Sequence, residues 1–181
     1  MSFDLYVELN ELPGDLLRRW EQALAGQGIL AQICPDADLA THSGYLPIKV
    51  DWIPRELLGA ELTAPITAGF EFSHDDEVAV YDDELHAEDR EHFRGEARFI
   101  TPASRTLPEV TMQCLCAAWL TEFADGRYVD PQSGLDVGRG QAMQAALDEI
   151  GRHVTEAAGT EAADVMRHLF PGWQALGVSV T

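Results

Sequence analysis

A chain of 181 residues with an apolar fraction of 46% is long enough for one ordinary domain with a sizeable core. Its formal charge of −19 argues against nucleic-acid phosphates and anionic membranes, which attract basic surfaces, and favours solubility, cations or a basic protein partner. Three cysteines, Cys34, Cys114 and Cys116, are too few and too oddly placed for a disulfide framework and read as core residues.

The start, Met1-Ser2-Phe3-Asp4, has neither the basic residues nor the apolar block of a signal peptide. Phe3, Leu5, Val7 and Leu9 then alternate with Asp4, Tyr6 and Glu8, which predicts a half-buried strand. Residues 10–14 turn the chain. Asp15 suits the N-cap of a helix that carries Leu16, Leu17, Trp20, Ala23 and Leu24 on one face and ends at Gly26 and Gly28. A second strand is expected over residues 29–33, a loop over 34–43 and a third strand over 45–52. Pro47 inside that third strand points to a sheet edge, because proline donates no ladder hydrogen bond. A single helical turn follows Pro54, and residues 60–68 carry no clear pattern.

Phe70 and Phe72 begin another strand, with residues 78–81 as its hairpin partner. Residues 85–93 are polar, and 96–101 read as a strand through Ala97, Phe99 and Ile100. The longest apolar run, Cys114 to Leu120, lies in a helix that opens with Pro108 and Glu109. Seven residues fall far short of the roughly 20 that span a bilayer, so a cytoplasmic protein is expected. Met112, Cys116, Trp119 and Phe123 recur at helical spacing with Leu115 and Leu120 beside them, so this helix is apolar nearly all round and should be covered on several sides. Gly126 suits a left-handed helix stop, Arg127-Tyr128-Val129 a short strand, and Pro131 ends it. An amphipathic helix over 141–154 carries Met143, Ala146, Leu147, Ile150 and Val154. A last helix starts at Thr160, bears Ala162, Met166, Leu169 and Phe170 and stops at Pro171-Gly172. Trp52 and Trp173, near element ends, are the aromatics expected to be partly exposed.

Strands come mainly first and helices last, with short connections. The order predicts an α+β fold: a single domain over 1–181, its mainly antiparallel or mixed sheet packed against several helices, one buried at the centre.

The most unusual local feature is the acidic stretch from Glu71 to Glu91, with ten acids and one base, Arg90. A solvated surface hairpin, a docking surface for a basic protein and a divalent-cation site all fit it. Asp75-Asp76-Glu77 and Asp82-Asp83-Glu84 supply carboxylates but lack the alternating spacing and glycine turn of a calcium loop. The candidate partner-binding residues are Asp75, Asp76, Glu77, Asp82, Asp83, Glu84, Glu88, Asp89 and Glu91. His86, Glu88 and His92 have the wrong spacing for a zinc helix, and His42-Ser43 has no nucleophile elbow around it. Gly138-Arg139-Gly140 precedes a helix as phosphate loops do, but Met143 stands where the dinucleotide fingerprint needs its third glycine, and no strand is expected just before it. No catalytic residue, metal ligand or cofactor site is predicted.

Ala117-Ala118-Trp119-Leu120-Thr121, followed by Gly126-Arg127-Tyr128-Val129-Asp130-Pro131-Gln132-Ser133-Gly134, resembles a segment of small bacterial families that include immunity proteins of polymorphic toxin and type VI secretion systems. The resemblance covers about residues 110–134 and identifies no binding residue. It implies a small cytoplasmic bacterial protein that binds and blocks a toxin. With the charge, it sets the leading expectation: a non-enzymatic immunity protein that occludes a basic toxin through its acidic surface. The alternatives are a divalent-cation-dependent enzyme using clustered carboxylates and an adaptor domain.

Overall fold

The computed structural model describes residues 2–59, 61–76, 93–157 and 168–178. Among them, seven strands form one antiparallel sheet, and helices pack on one of its faces: the α+β class expected from the element order. The elements in chain order are β1 (Phe3–Leu9), α1 (Leu16–Gly26), β2 (Leu30–Ile33), β3 (Ser43–Trp52), α2 (Arg55–Leu58), β4 (Ile66–Asp75), β5 (Gly95–Thr101), α3 (Leu107–Ala124), β6 (Arg127–Asp130), β7 (Leu135–Gly138) and α4 (Ala142–Ala157). A short 3-10 turn, Gln174–Leu176, follows. Across the sheet the order is β2-β3-β4-β5-β1-β6-β7.

Period-two alternation sets which side chains face the helices. Leu5, Val7, Ala97, Phe99, Phe70, Phe72, Leu46 and Ile48 are fully or almost fully buried on the helix-covered face. Thr106 and Glu109 form a reciprocal capping box that starts α3, with Pro108 in the first turn. The helix lies on β1, β4, β5 and β6 and is flanked by α1, α2 and α4. That explains a sequence apolar nearly all round: every side meets protein. Trp20 of α1 packs edge-on against Phe72 and Phe99, and its indole N–H donates to the Cys116 carbonyl at 2.8 Å. Gln113 anchors α3 to the sheet. Its amide nitrogen donates to the carbonyls of Phe3 and Phe99 at 2.9 and 2.8 Å, and its oxygen accepts from the Thr101 hydroxyl at 2.7 Å.

Four local expectations need correction. Pro47 is not on an edge, since β3 pairs with both β2 and β4. Its carbonyl accepts from Cys34 N at 3.0 Å, so its imide nitrogen faces the side where β2 has just ended, and no ladder bond to β4 is lost. Asp125 rather than Gly126 takes the left-handed conformation after α3, with φ 53°. Gly126 is needed for clearance: a Cβ there would lie 2.5 Å from the Glu8 carbonyl oxygen on β1. A strand does precede Gly138-Arg139-Gly140, because β7 pairs with β6 around the turn at Pro131. Finally, Leu169 is not helical but bridges to Ile66. Residues 78–81, most of 85–93 and residues 160–167 lie outside the described residues. Trp52 is exposed and Trp173 half-buried.

Candidate functional site

The face of the sheet that the described helices leave uncovered carries two distinct polar regions, at opposite ends of β4, the second reaching round to the start of α3. The first is where β4 ends. Register places Asp75 opposite Glu96, Glu96 opposite Glu8, and Glu8 opposite Arg127. Like charges directly opposed on neighbouring strands repel, so this row needs cations between its members. Arg98 supplies one, 3.1 Å from Asp75 and 2.8 Å from Glu96. Arg127 supplies another, 2.7 Å from Glu8 and 3.5 Å from Asp136. Among the described residues, four carboxylates thus share two guanidinium groups. Burial pushes the Glu96 carboxyl above its ordinary range; Arg98 pulls it back, while Glu8 and Asp75 push it further up.

Of the candidate partner-binding residues, Asp75 is therefore already paired. The Asp76 side chain is almost completely exposed, with His74 Nδ1 3.9 Å away. Glu77, Asp82, Asp83, Glu84, Glu88, Asp89 and Glu91 lie outside the described residues, as do His86 and His92. They belong to the connection that leaves β4 beside this carboxylate row and returns at β5. Sequence reasoning missed Glu8, Glu96, Arg98 and Arg127. Their signal was there, as polar residues alternating with core positions, but the pairing that makes them one row is visible only in the register.

The second region is a cleft of about 520 Å³ at the start of β4. Here residues 168–178 form a strap. Thr67 N donates to the His168 carbonyl at 2.6 Å, Phe170 N donates to the Pro65 carbonyl at 3.0 Å, and Trp173 reaches Gln32 at 3.4 Å. The floor holds Tyr45, Glu71 and Ile100, which stand in register on β3, β4 and β5. The Tyr45 ring lies over Gly69, where a Cβ would come within 2.9 Å of it. Glu109 lines the rear of the cleft, its Oε2 already accepting from Thr106 N and Oγ1. Burial, and then the Glu109 charge, push the Tyr45 phenol up to about 12, so it stays a neutral donor.

Other sequence candidates resolve differently. Burial pushes the Cys114 and Cys116 thiols well up, which keeps them protonated and unreactive. Arg139 lies 3.7 Å from Glu122 and 3.6 Å from Asp125, while Gly140 N donates to Glu122 at 2.6 Å. The place where a phosphate loop would hold an anion is filled by the protein's own carboxylate. Among the described residues, no three His, Cys, Asp or Glu side chains converge as a metal ion requires, and no helix is long and apolar enough to cross a membrane. Comparison of the chain with protein-family models, curated proteins and solved structures gave no match.

Proposed function

We propose that the chain is a non-enzymatic binding protein that takes a basic protein partner on its acidic surface, as an immunity protein blocks a basic toxin in the bacterial cytoplasm. The observation that carries this reading is the carboxylate row Asp75-Glu96-Glu8, in which three carboxylates meet two arginines among the described residues, set beside the almost completely exposed Asp76 where the acid-rich connection begins. Clustered charge of one sign speeds encounter with a partner of the other and selects against like-charged competitors. The segment resemblance at residues 110–134 points the same way, as does the residual charge of the whole chain.

Affinity purification from the native host, mass spectrometry and then calorimetry with the captured basic protein test it. Replacing Asp75, Asp76, Asp82 and Asp83 together by asparagine should weaken binding at least tenfold, and raising the salt from 50 to 300 mM should weaken the parent more than the variant. Equal affinity of parent and variant would reject the surface.

A further inference from the structure

We infer that the corner of the sheet where β2, β3 and the strap of residues 168–178 meet is a docking surface for a second copy of this chain. The inference does not depend on a basic partner, and it names the end of the sheet away from Asp75.

Among the described residues, the large apolar side chains most open to solvent are Leu30 at 57%, Trp52 at 45%, Tyr45 at 46% and Leu169 at 61%. All four border this corner. Leu30 and Trp52 stand opposite each other on β2 and β3, and Gln32 stands opposite Lys49 beside them. The strap lies against that second pair: the Trp173 indole N–H donates to Gln32 Oε1 at 3.4 Å, and the Phe170 ring centre is 5.7 Å from Lys49 Nζ. Phe170 and Trp173 pack edge to face, 5.0 Å between ring centres, and both are half-buried. The next strap residue, Leu169, bridges to Ile66 and lines the cleft with Tyr45. Apolar surface thus runs from Trp52 across the strap to Tyr45. Large side chains carry about 150–250 Å² each, so four half-exposed ones show roughly 400 Å². That is about half of the ~800 Å² per partner of a standard interface, which suits a weak and reversible contact. Side chains must make it, because Ile33 N on the β2 edge already donates to Glu21 Oε1 at 3.0 Å.

Charge selects the occupant. Lys49 and Asp51 pair with each other at 2.8 Å, Arg55 and Glu56 after Trp52 balance each other, and Glu71 stands at the margin beyond Tyr45. A basic protein finds little to hold it here. A second copy meets the opposite condition: chains of charge −19 repel, and they can come close only where their acids are sparse. Contact at this corner leaves the Asp75-Glu96-Glu8 row at the other end of the ten-residue β4, about 30 Å away at strand rise and several Debye lengths at physiological salt. A two-fold contact sets one patch against its own copy, so a single apolar corner supplies both sides.

Analytical ultracentrifugation of the full chain alone, from about 2 to 200 µM and at 50 and 500 mM sodium chloride, tests this directly. The expected result is a reversible monomer–dimer equilibrium, half-formed at roughly 10–100 µM in the higher salt. Salt should tighten it at least threefold by screening the repulsion between copies, the opposite sign to its effect on a basic partner. Leu30→Ser and Trp52→Ser should each weaken the dimer at least tenfold, with the circular dichroism and melting temperature of the dilute parent unchanged. A parent that stays monomeric at 200 µM in 500 mM salt would overturn the inference. So would association that salt weakens, that grows beyond two copies, or that both folded variants retain. The measurement uses no partner, so its failure leaves binding at Asp75 and Asp76 standing, and its success does not depend on that binding.

Discussion

Gln113 is the residue on which the helix-to-sheet contact turns. It sits inside an apolar run, and nothing in its spacing marks it, because the groups it satisfies come from strands about a hundred residues earlier and a dozen earlier. Gln113→Leu keeps the volume but leaves the Phe3 and Phe99 carbonyls without this donor, at a cost of about 3 kcal/mol. Urea unfolding at constant slope would measure it. Glu149 makes a second case, this time of pH. Burial opposes its charge, yet the pairing with His153 at 2.9 Å and with Arg152 outweighs burial and holds the carboxyl below its ordinary range. A carboxyl depressed in the folded state contributes stability above its unfolded pKa of about 4.3, and loses it as pH falls through the folded value. Glu149→Gln should therefore cost about 1 kcal/mol at pH 7, discounted for the exposed arginine, and nothing at pH 2. Denaturation at both values shows whether the two proteins converge in acid. Gly126 shows a limit of reading residues one by one. A glycine after a helix reads as a left-handed stop, and only the approach of Glu8 reveals that it is required for room.

Elements with a strong period were legible in the chain. β1 showed its alternation, and α1 and α4 their stripes, because each buries one face, while α3 read as apolar nearly all round because the sheet and three helices surround it. What failed was anything decided by pairing. Pro47 reads as an edge signal, yet β3 is internal, since the missing donor points past the end of a four-residue strand. Leu135 and Val137 of β7 alternate too, but over only four residues, and a turn signal ahead of them was the better clue. Leu169 and Phe170 carry helical spacing but bond to the start of β4 instead. The candidate surface was half legible: composition located Asp75 and Asp76, and register alone assembled Glu96 and Glu8 beside Asp75. At this scale the Thr106-Glu109 box is the cheapest test. Thr106→Ala removes one side of the cap and should lower stability by about 1 kcal/mol, seen as a shifted urea midpoint with helicity otherwise intact.

For the whole molecule, the charge of −19 acts against compactness, because a folded chain holds its like charges closer together than an unfolded one does. Adding sodium chloride from 10 to 200 mM should therefore raise the melting temperature, by about 2–4 °C for each kcal/mol of repulsion relieved. A falling melting temperature would mean that pairs such as Arg127-Glu8 outweigh the surplus. The sheet order carries another consequence, for synthesis. β1 lies between β5 and β6, so during synthesis it has no sheet neighbour until residues 95–101 emerge, and only one until residues 127–130 follow. Long-range pairing of this kind is slow to close. Until then the nascent chain must carry Leu5 and Val7 as an unclaimed sticky edge, and its yield in a cell should depend on holdase chaperones far more than its final stability would suggest.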